Sequence, residues 1–239
     1  MKNKGSFKFD PSNSAHVKIG LGLCFALIIF FFIYGIVVFT NDNSYKNIKE
    51  NTRLGLVYST DNSTEDRNIP YINIKNFSTV NENINNFVNK YKDEEDIISY
   101  DYEVNGVILS LIISAIYEDE EVPSVSFLSY NINLEQGKVI SDSRLIDYYG
   151  LNTDNIEEIV KDNFGEHYKK EIKKGYIIEE ECNFDCYLGN RGEYHNYAYY
   201  ISDGNLYAYV PFDIYSVYGE ENYFKDEDFK MFLAEAPEE

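Results

Sequence analysis

The sequence predicts an α+β protein, in which a single N-terminal transmembrane helix is followed by an extracytoplasmic domain of antiparallel β-sheet packed with two or three helices. Three observations predict it: a long uncharged apolar run, two tight-turn dipeptides that join runs rich in β-branched and aromatic residues, and two segments with apolar residues at helical spacing. The predicted parts are a cytoplasmic tail (1–18), the transmembrane helix (19–40), a polar linker (41–68), the domain (69–233) and an acidic tail (234–239).

The uncharged run extends from Ile19 to Thr40 and reads IGLGLCFALIIFFFIYGIVVFT. At about 1.5 Å of rise per residue a helix of this length covers about 30 Å, the thickness of the bilayer's hydrocarbon core. Four lysines and one aspartate precede it, whereas Asn-Asp-Asn-Ser follows it, so we expect the N-terminus in the cytoplasm and the C-terminal domain outside. A cleaved signal peptide is the alternative; its apolar region would be about half as long and followed by small residues at the cleavage site.

The charge of the region outside the membrane limits its partners. Beyond residue 40 the chain has 17 basic and 40 acidic residues, a formal net charge of −23. Nucleic acids and anionic lipid headgroups would be repelled, so we expect neither as a partner. Cationic ligands, such as a basic protein, a cationic peptide or a metal ion, are favoured, with a merely solubilising acidic surface as the alternative.

The first predicted elements of the domain are a short strand near Ile69 to Lys75 and an amphipathic helix after it. A Thr79-x-x-Glu82 pattern is typical of a capping box. The apolar residues that follow have the spacing i, i+3, i+4, i+7 of a helix face: Ile84, Phe87, Val88 and Tyr91.

An antiparallel meander is predicted next. Asn105-Gly106 joins two strand-like runs, 97–104 and 107–117, and the second run is almost wholly apolar. Such a run is typical of a central strand covered on both faces, or of a strand covered by the helix on one face and a partner on the other. A third strand is predicted at 125–134, with a turn at 135–138.

Two helices and a second hairpin are predicted in the C-terminal half. A short helix or turn is expected at 142–151, and a longer helix from Thr153 or Asp154 to Ile172, closed by Gly175. Four lysines crowd its last turns, where the helix dipole favours them; a binding site is the alternative interpretation. A hairpin is predicted around Asp203-Gly204, and a final helical stretch at 226–233.

Cys182 and Cys186 are separated by three residues and lie in the region predicted to be outside the cell. There they can form a disulfide or remain as two free thiols. A zinc site would use His195 in addition, with His167 as a further candidate. The resulting spacing, Cys-x3-Cys-x8-His, is not one that recurs in zinc sites, so we predict no metal and no cofactor.

Nine of the 23 tyrosines lie between residues 187 and 218. Within each predicted strand of the hairpin two tyrosines are separated by one residue, so their side chains lie on the same face and each strand presents an aromatic face. Core packing is one explanation and a ligand platform is the other, because tyrosine combines a flat apolar ring with a hydroxyl. The candidate ligand-binding residues are Tyr197, Tyr199, Tyr207, Tyr209 and Tyr218.

Two stretches carry a resemblance to a known family. They are YNINLEQGKVISDSRLIDYYGL (130–151) and YYISDGNLYAYVPFDIYSVYGE (199–220). Their Asn-x-x-Leu-x-x-Gly-Lys turn and their Asp-Gly hairpin with a following Pro and Tyr-Gly resemble the extracytoplasmic domain shared by lysozyme-sensing anti-sigma factors of the RsiV type and the non-catalytic part of peptidoglycan deacetylases of the PdaC type. The resemblance covers about residues 69–233, without the anti-sigma or deacetylase parts, and EDEEVP (118–123) stands where that family has a Gly-Ala-His loop.

The resemblance implies an anchored sensor or binding module at the cell membrane, with the C-terminal domain extracellular and lysozyme or wall glycan as the ligand class. The expected function is therefore recognition of an envelope ligand, with a basic protein such as lysozyme as the first candidate and peptidoglycan glycan as the alternative. A cell-wall hydrolase is the third hypothesis. We predict that the chain is not an enzyme, because the sequence has no nucleophile elbow, no His-Glu-x-x-His and no phosphate-binding loop.

Overall fold

The computed structural model of the chain describes residues 45–93, 96–119, 122–175, 177–188, 197–211 and 229–237. The chain divides into two compact units, 1–47 and 48–239, and only the turn at 45–47 is described in the first. In the described ranges no helix combines the length and apolar character that crossing a bilayer requires. The predicted tail (1–18) and transmembrane helix (19–40) lie outside these ranges.

The second unit is an α+β assembly of antiparallel sheets and helices, as predicted. Its described elements are β1 (Val57–Ser59), β2 (Pro70–Ile72), α1 (Ser78–Val88), β3 (Ile97–Asn105), β4 (Ile108–Asp119), β5 (Val122–Asn133), β6 (Lys138–Ile140), α2 (Asp142–Tyr148), α3 (Thr153–Lys174), α4 (Phe184–Leu188), β7 (Ala198–Ser202), β8 (Asn205–Tyr209) and β9 (Lys230–Ala234). The strands form a β1-β2 pair, a large sheet in the order β3-β4-β5-β6 and a small sheet in the order β7-β8-β9.

The large sheet follows from its turns. β3 and β4 pair along their whole length, from Ile97 opposite Ile116 to Asn105 opposite Ile108, and Gly106 takes the positive φ of 58° that the tight turn requires. β4 pairs with β5 from Ile108 opposite Asn133 onward, which makes β4 a central strand. From Leu109 to Ala115 every residue of β4 is buried, which confirms the prediction of a strand covered on both faces.

The two faces of β4 belong to different apolar cores. Ile112 packs in a cluster with α3 and the small sheet, together with Phe164 and Leu206. On the opposite face, Leu111 and Ile113 are buried on the side that α1 covers, where Tyr91, just beyond α1, stacks on Tyr117 at 4.8 Å between ring centroids. The large sheet is therefore the middle layer of three.

The small sheet is attached to the large sheet by a row of polar side chains. Ser110 on β4 donates a hydrogen bond to Asn131 Oδ1 (2.6 Å) and accepts one from Ile201 N (2.8 Å). Asn131 Nδ2 donates to Tyr199 O (2.9 Å), and Asn105 Nδ2 donates to Ile201 O (3.2 Å). Because β7 is the edge strand of its sheet, these side chains satisfy backbone groups that would otherwise be buried without partners.

Helix α3 agrees with its prediction except at the cap. It begins after Asn152, whose side chain accepts a hydrogen bond from Asn155 N at 2.9 Å in a capping box, and it ends at Gly175 with a φ of 81°. The Asp203-Gly204 hairpin is confirmed as well, since both residues have positive φ, as a type I′ turn requires.

The predicted capping box of α1 is wrong. The helix begins at Ser78 after Phe77, and no side chain caps it. Asn81, in the first turn, instead binds the backbone of β2, accepting from Ile72 N at 2.8 Å and donating to Ile72 O at 3.0 Å. The first turn therefore pairs with a strand, and Phe77 is buried at the position where a polar cap would stand.

Two further predictions are corrected. Much of the predicted linker belongs to the domain: Leu56 and Val57 are buried, β1 pairs with β2, and Asn68 N donates to Ile98 O at 2.8 Å beside β3. The predicted helix at 226–233 is wrong over residues 230–233, which lie in β9. Its residues alternate, with Met231 and Leu233 buried and Phe232 exposed, which is the period of a strand.

Candidate functional site

The structure places most of the predicted tyrosine platform in the interior. Tyr197, Tyr199 and Tyr209 are buried in the core formed with α3. Tyr207 is half-buried, and Tyr218 lies outside the described residues. The shared parity therefore reflects core packing for three of the five candidates, which are covered too completely to serve as an exposed platform.

Burial changes the acidity of these tyrosines. Burial raises the pKa of Tyr199, and the nearby Asp142 carboxylate raises it further. Burial, together with the Glu157 carboxylate, also raises the pKa of Tyr197. Tyr200, which parity excluded from the candidates, is among the most deeply buried residues and donates a hydrogen bond to Asp101 Oδ2 at 3.2 Å. Burial and this carboxylate raise the pKa of Tyr200 above its usual value.

One aromatic pair on the small sheet remains accessible. Tyr207 on β8 lies opposite Phe232 on β9, with ring centroids 5.8 Å apart in an edge-on arrangement. Phe232 is 47% exposed, a large value for a phenylalanine in the middle of a strand. Lys230 Nζ lies 4.2 Å from the centroid of the Tyr207 ring and 5.5 Å from that of Tyr200. The face of the Tyr207 ring therefore already holds a cation.

Carboxylates of the large sheet contact the neighbouring ring of Tyr200 and the β7–β8 turn. Asp101 and Glu103 lie on the same face of β3, two residues apart, and Asp101 joins the aromatic group through Tyr200. Glu103 Oε1 accepts a hydrogen bond from Asp203 N at 2.8 Å, which brings the β7–β8 turn beside β3. We call Tyr207, Phe232, Asp101, Glu103 and Asp203 the aromatic–acidic surface.

Cys182 and Cys186, for which the sequence left a disulfide and two free thiols as alternatives, form a disulfide with Cα atoms 5.3 Å apart. Asn183 Oδ1 accepts from Cys186 N at 2.9 Å and so shapes the short loop between them. Tyr168 of α3 donates to Cys182 O at 2.8 Å, which anchors the loop on the helix. The disulfide and the Tyr168 hydrogen bond together hold α4 against α3.

Loss of this disulfide is expected to destabilise the domain. A loop of about five residues gives an entropic stabilisation of about 2 kcal/mol, so Cys182→Ser/Cys186→Ser should lower the melting temperature by about 4 to 8 °C. Thermal unfolding followed by circular dichroism, with and without a phosphine reductant, measures this. The double variant should be insensitive to the reductant; equal melting temperatures for oxidised and reduced wild type would contradict the expectation.

Metal ligands do not converge in the described part of the chain: no three His, Cys, Asp or Glu side chains there are arranged to hold an ion. His195, which the zinc alternative required, lies outside the described residues. With the cysteines bonded to each other, their thiolates are not available as ligands.

Sequence reasoning identified Tyr207 and missed the rest of the aromatic–acidic surface. Phe232 and Lys230 were assigned to a helix, so their position beside Tyr207 depended on a strand that was not predicted. Asp101 and Glu103 were two acids among 41. The alternation of KMFLA at 230–234 was the signal that could have located β9.

Comparison of the chain with protein-family models, with curated proteins and with solved structures finds no match.

Proposed function

We propose that this chain is a membrane-anchored extracytoplasmic binding module, without catalytic activity, that recognises a basic envelope protein through the aromatic–acidic surface. The observation that carries the proposal is the Tyr207–Phe232 pair: Phe232 is exposed, the half-buried ring of Tyr207 accommodates the ammonium group of Lys230, and Lys230 also lies over Tyr200, which donates a hydrogen bond to Asp101. Exposed rings beside acids suit lysine and arginine side chains, because a cation can stack on the ring and pair with a carboxylate.

Location outside the cell is supported by two independent features. The uncharged run from Ile19 to Thr40 is long enough to anchor the chain in a membrane. The Cys182–Cys186 disulfide is of a kind that persists in oxidising compartments and is rare in the cytosol. The net charge of −23 beyond residue 40 would accelerate the approach of a basic partner and would do so less at high salt.

Lysozyme is the basic protein with which to test the proposal. The full-length chain in neutral detergent should bind immobilised lysozyme at low salt and lose most of its association rate at moderate salt. Asp101→Asn/Glu103→Gln keeps the hydrogen-bond acceptors for Tyr200 and Asp203 while removing two charges, and should slow association by about three- to tenfold at low salt. Phe232→Ala should raise the dissociation rate.

A matched control is available on two helices that contribute no residue to the aromatic–acidic surface. Glu82→Gln/Glu158→Gln removes two exposed charges from α1 and α3, so it alters the net charge equally without touching the aromatic–acidic surface. If this control slows association as much as Asp101→Asn/Glu103→Gln does, steering by total charge explains the binding and the proposed surface is wrong. Absence of binding at every salt concentration would remove lysozyme as the ligand.

Wall glycan is the second candidate, and the exposed ring of Phe232 beside the half-buried ring of Tyr207 favours it, because aromatic faces also pack on sugar rings. Cosedimentation of the full-length chain with purified peptidoglycan distinguishes the two. A glycan ligand predicts that Phe232→Ala releases the protein from the pellet and that Asp101→Asn/Glu103→Gln leaves sedimentation unchanged.

A further inference from the structure

A cleft beside α3 is not used by the function proposed above. It lies between α3 and the disulfide-closed segment and has a volume of about 540 Å³, within the range of roughly 300 to 1,000 Å³ typical of small-ligand sites. Its floor is formed by Gly165, Ile172 and the ring of Phe184.

Gly165 provides the depth of the cleft. A Cβ atom at this position would lie 4.0 Å from the Phe184 ring, so a methyl group fits there and any larger side chain would occupy the cleft itself. Phe184 is held in place by a tilted ring contact with Tyr168, 5.7 Å away between centroids, and by the disulfide that closes the loop around it. The disulfide and the contact with Tyr168 therefore fix the position of Phe184 in the floor of the cleft.

The rim of the cleft carries both signs of charge. Lys161 and Lys169 extend from α3, as does Asp162, and Glu179 contributes from the other wall. All four side chains are exposed, so their charges are available to a ligand. A purely anionic ligand would meet two carboxylates and a purely cationic ligand would meet two ammonium groups, which disfavours both.

The spacing along α3 sets the size of a matching ligand. Asp162 and Lys169 are seven residues apart, on the same side of the helix, which corresponds to about 10 Å at 1.5 Å per residue. An extended tripeptide covers a similar distance, roughly 10 Å at about 3.4 Å per residue.

We propose that this cleft binds a short peptide with a free ammonium group near Asp162, a free carboxylate near Lys169 and an aliphatic side chain on the floor formed by Ile172 and Phe184. The cleft is a second site, separate from the aromatic–acidic surface, and its ligand is a small zwitterion whereas the ligand of that surface is a protein. The disulfide makes the site dependent on oxidation, because reduction frees the loop that positions Phe184.

The test uses the full-length chain and the tripeptide Ala-Leu-Ala in isothermal titration calorimetry. Ala-Leu-Ala should bind saturably, and its N-acetylated and C-amidated forms should each bind about two- to fivefold more weakly, since each loses one exposed charge pair. Equal affinity for all three peptides, or no binding of any of them, would overturn the proposal.

Variants separate the cleft from other surfaces. Gly165→Leu should abolish binding by filling the cleft, whereas Gly165→Ala should retain it. Lys169→Glu should weaken Ala-Leu-Ala and leave the C-amidated peptide unaffected or bound more tightly. Lys170→Glu makes the same change on the neighbouring exposed residue, outside the cleft. A loss with Lys170→Glu as large as that with Lys169→Glu, or undiminished binding to Gly165→Leu, would exclude the cleft as the site.

The redox dependence is tested on the same samples. Treatment with a phosphine reductant should weaken Ala-Leu-Ala binding at least fivefold, and reoxidation should restore it. Unchanged affinity after full reduction would contradict the role of the disulfide. Lysozyme binding should be unaffected by Gly165→Leu, so failure of the peptide site and failure of the proposed function are distinguishable.

Discussion

Replacing Asn131 with alanine is expected to lower the free energy of unfolding by about 3 kcal/mol. The Asn131 side chain is buried and joins the two sheets, accepting from Ser110 Oγ and donating to Tyr199 O. Alanine would leave the Tyr199 carbonyl and the Ser110 hydroxyl without these partners in a water-excluded interface, and a buried unsatisfied polar group costs about 1 to 3 kcal/mol. Chemical denaturation followed by circular dichroism measures the change.

Asn133 provides the matched control for this experiment. It lies two residues further along β5, where its Oδ1 accepts a hydrogen bond from Gln136 N in the exposed turn. Asn133→Ala should cost less than about 1 kcal/mol, because water can replace the lost bond. If the two variants lose equal stability, the polar row between the sheets is not an important attachment of the small sheet.

Alkaline pH is expected to unfold the domain in a narrow range. Burial raises the pKa of Tyr149 to about 12 and also raises the pKa values of Tyr199 and Tyr200. In the unfolded chain these tyrosines release their protons near pH 10, so above that pH the unfolded state binds fewer protons than the folded state. Stability is therefore fully present below about pH 10 and falls as the pH rises toward the folded pKa values.

The expected slope is large because several tyrosines act together. Each one that stays protonated contributes a loss of about 1.4 kcal/mol per pH unit, or roughly 4 kcal/mol per pH unit for three. Tyrosinate absorbance and circular dichroism recorded during a pH titration should change in one cooperative step. Tyr149→Phe removes one titrating group and should make the slope about one third shallower. Stability that is constant from about pH 9 to about pH 12 would contradict the argument.

Local signals in the sequence predicted much of the fold. The hairpin turns near Gly106 and Gly204 and the C-cap at Gly175 depend on the backbone preferences of a few adjacent residues. Each was identified, although the first turn is centred on Gly106 and Val107, one residue later than predicted. The apolar run of β4 likewise predicted that this strand is central, since such a composition is typical of a strand covered on both faces.

Features that depend on distant residues were not predictable in the same way. The burial of Leu56 and Val57 results from pairing with β2 and from the Asn73 side chain, which donates to Asn51 O at 2.8 Å and Gly55 O at 2.9 Å. In the sequence alone, Asn51, Asn73 and their neighbours are typical of a polar linker. Asparagine is common in exposed loops, and here the same residue type forms the hydrogen bonds that hold the loop.

The candidate sites show the same limit. Tyr207 was found because it belongs to a recognisable hairpin, whereas its neighbour Phe232 arrives from a strand about 25 residues later in the chain. The cleft on α3 depends on Gly165 facing Phe184, a relation that the spacing of Cys182 and Cys186 did not reveal. Helical periodicity indicates which face of a helix is buried, and it carries no information about what lies over the exposed face.

The burial of β4 on both faces determines how its backbone amides exchange with solvent. Its backbone amides are bonded to β3 on one edge and β5 on the other, and apolar layers lie over both of its faces. Local opening of a turn or a surface helix does not expose the backbone amides of β4 to solvent. Solvent reaches these amides only when whole layers separate. The rate of hydrogen exchange along β4 therefore reports the opening of the entire domain. The layers on both faces of the large sheet pack on this one strand.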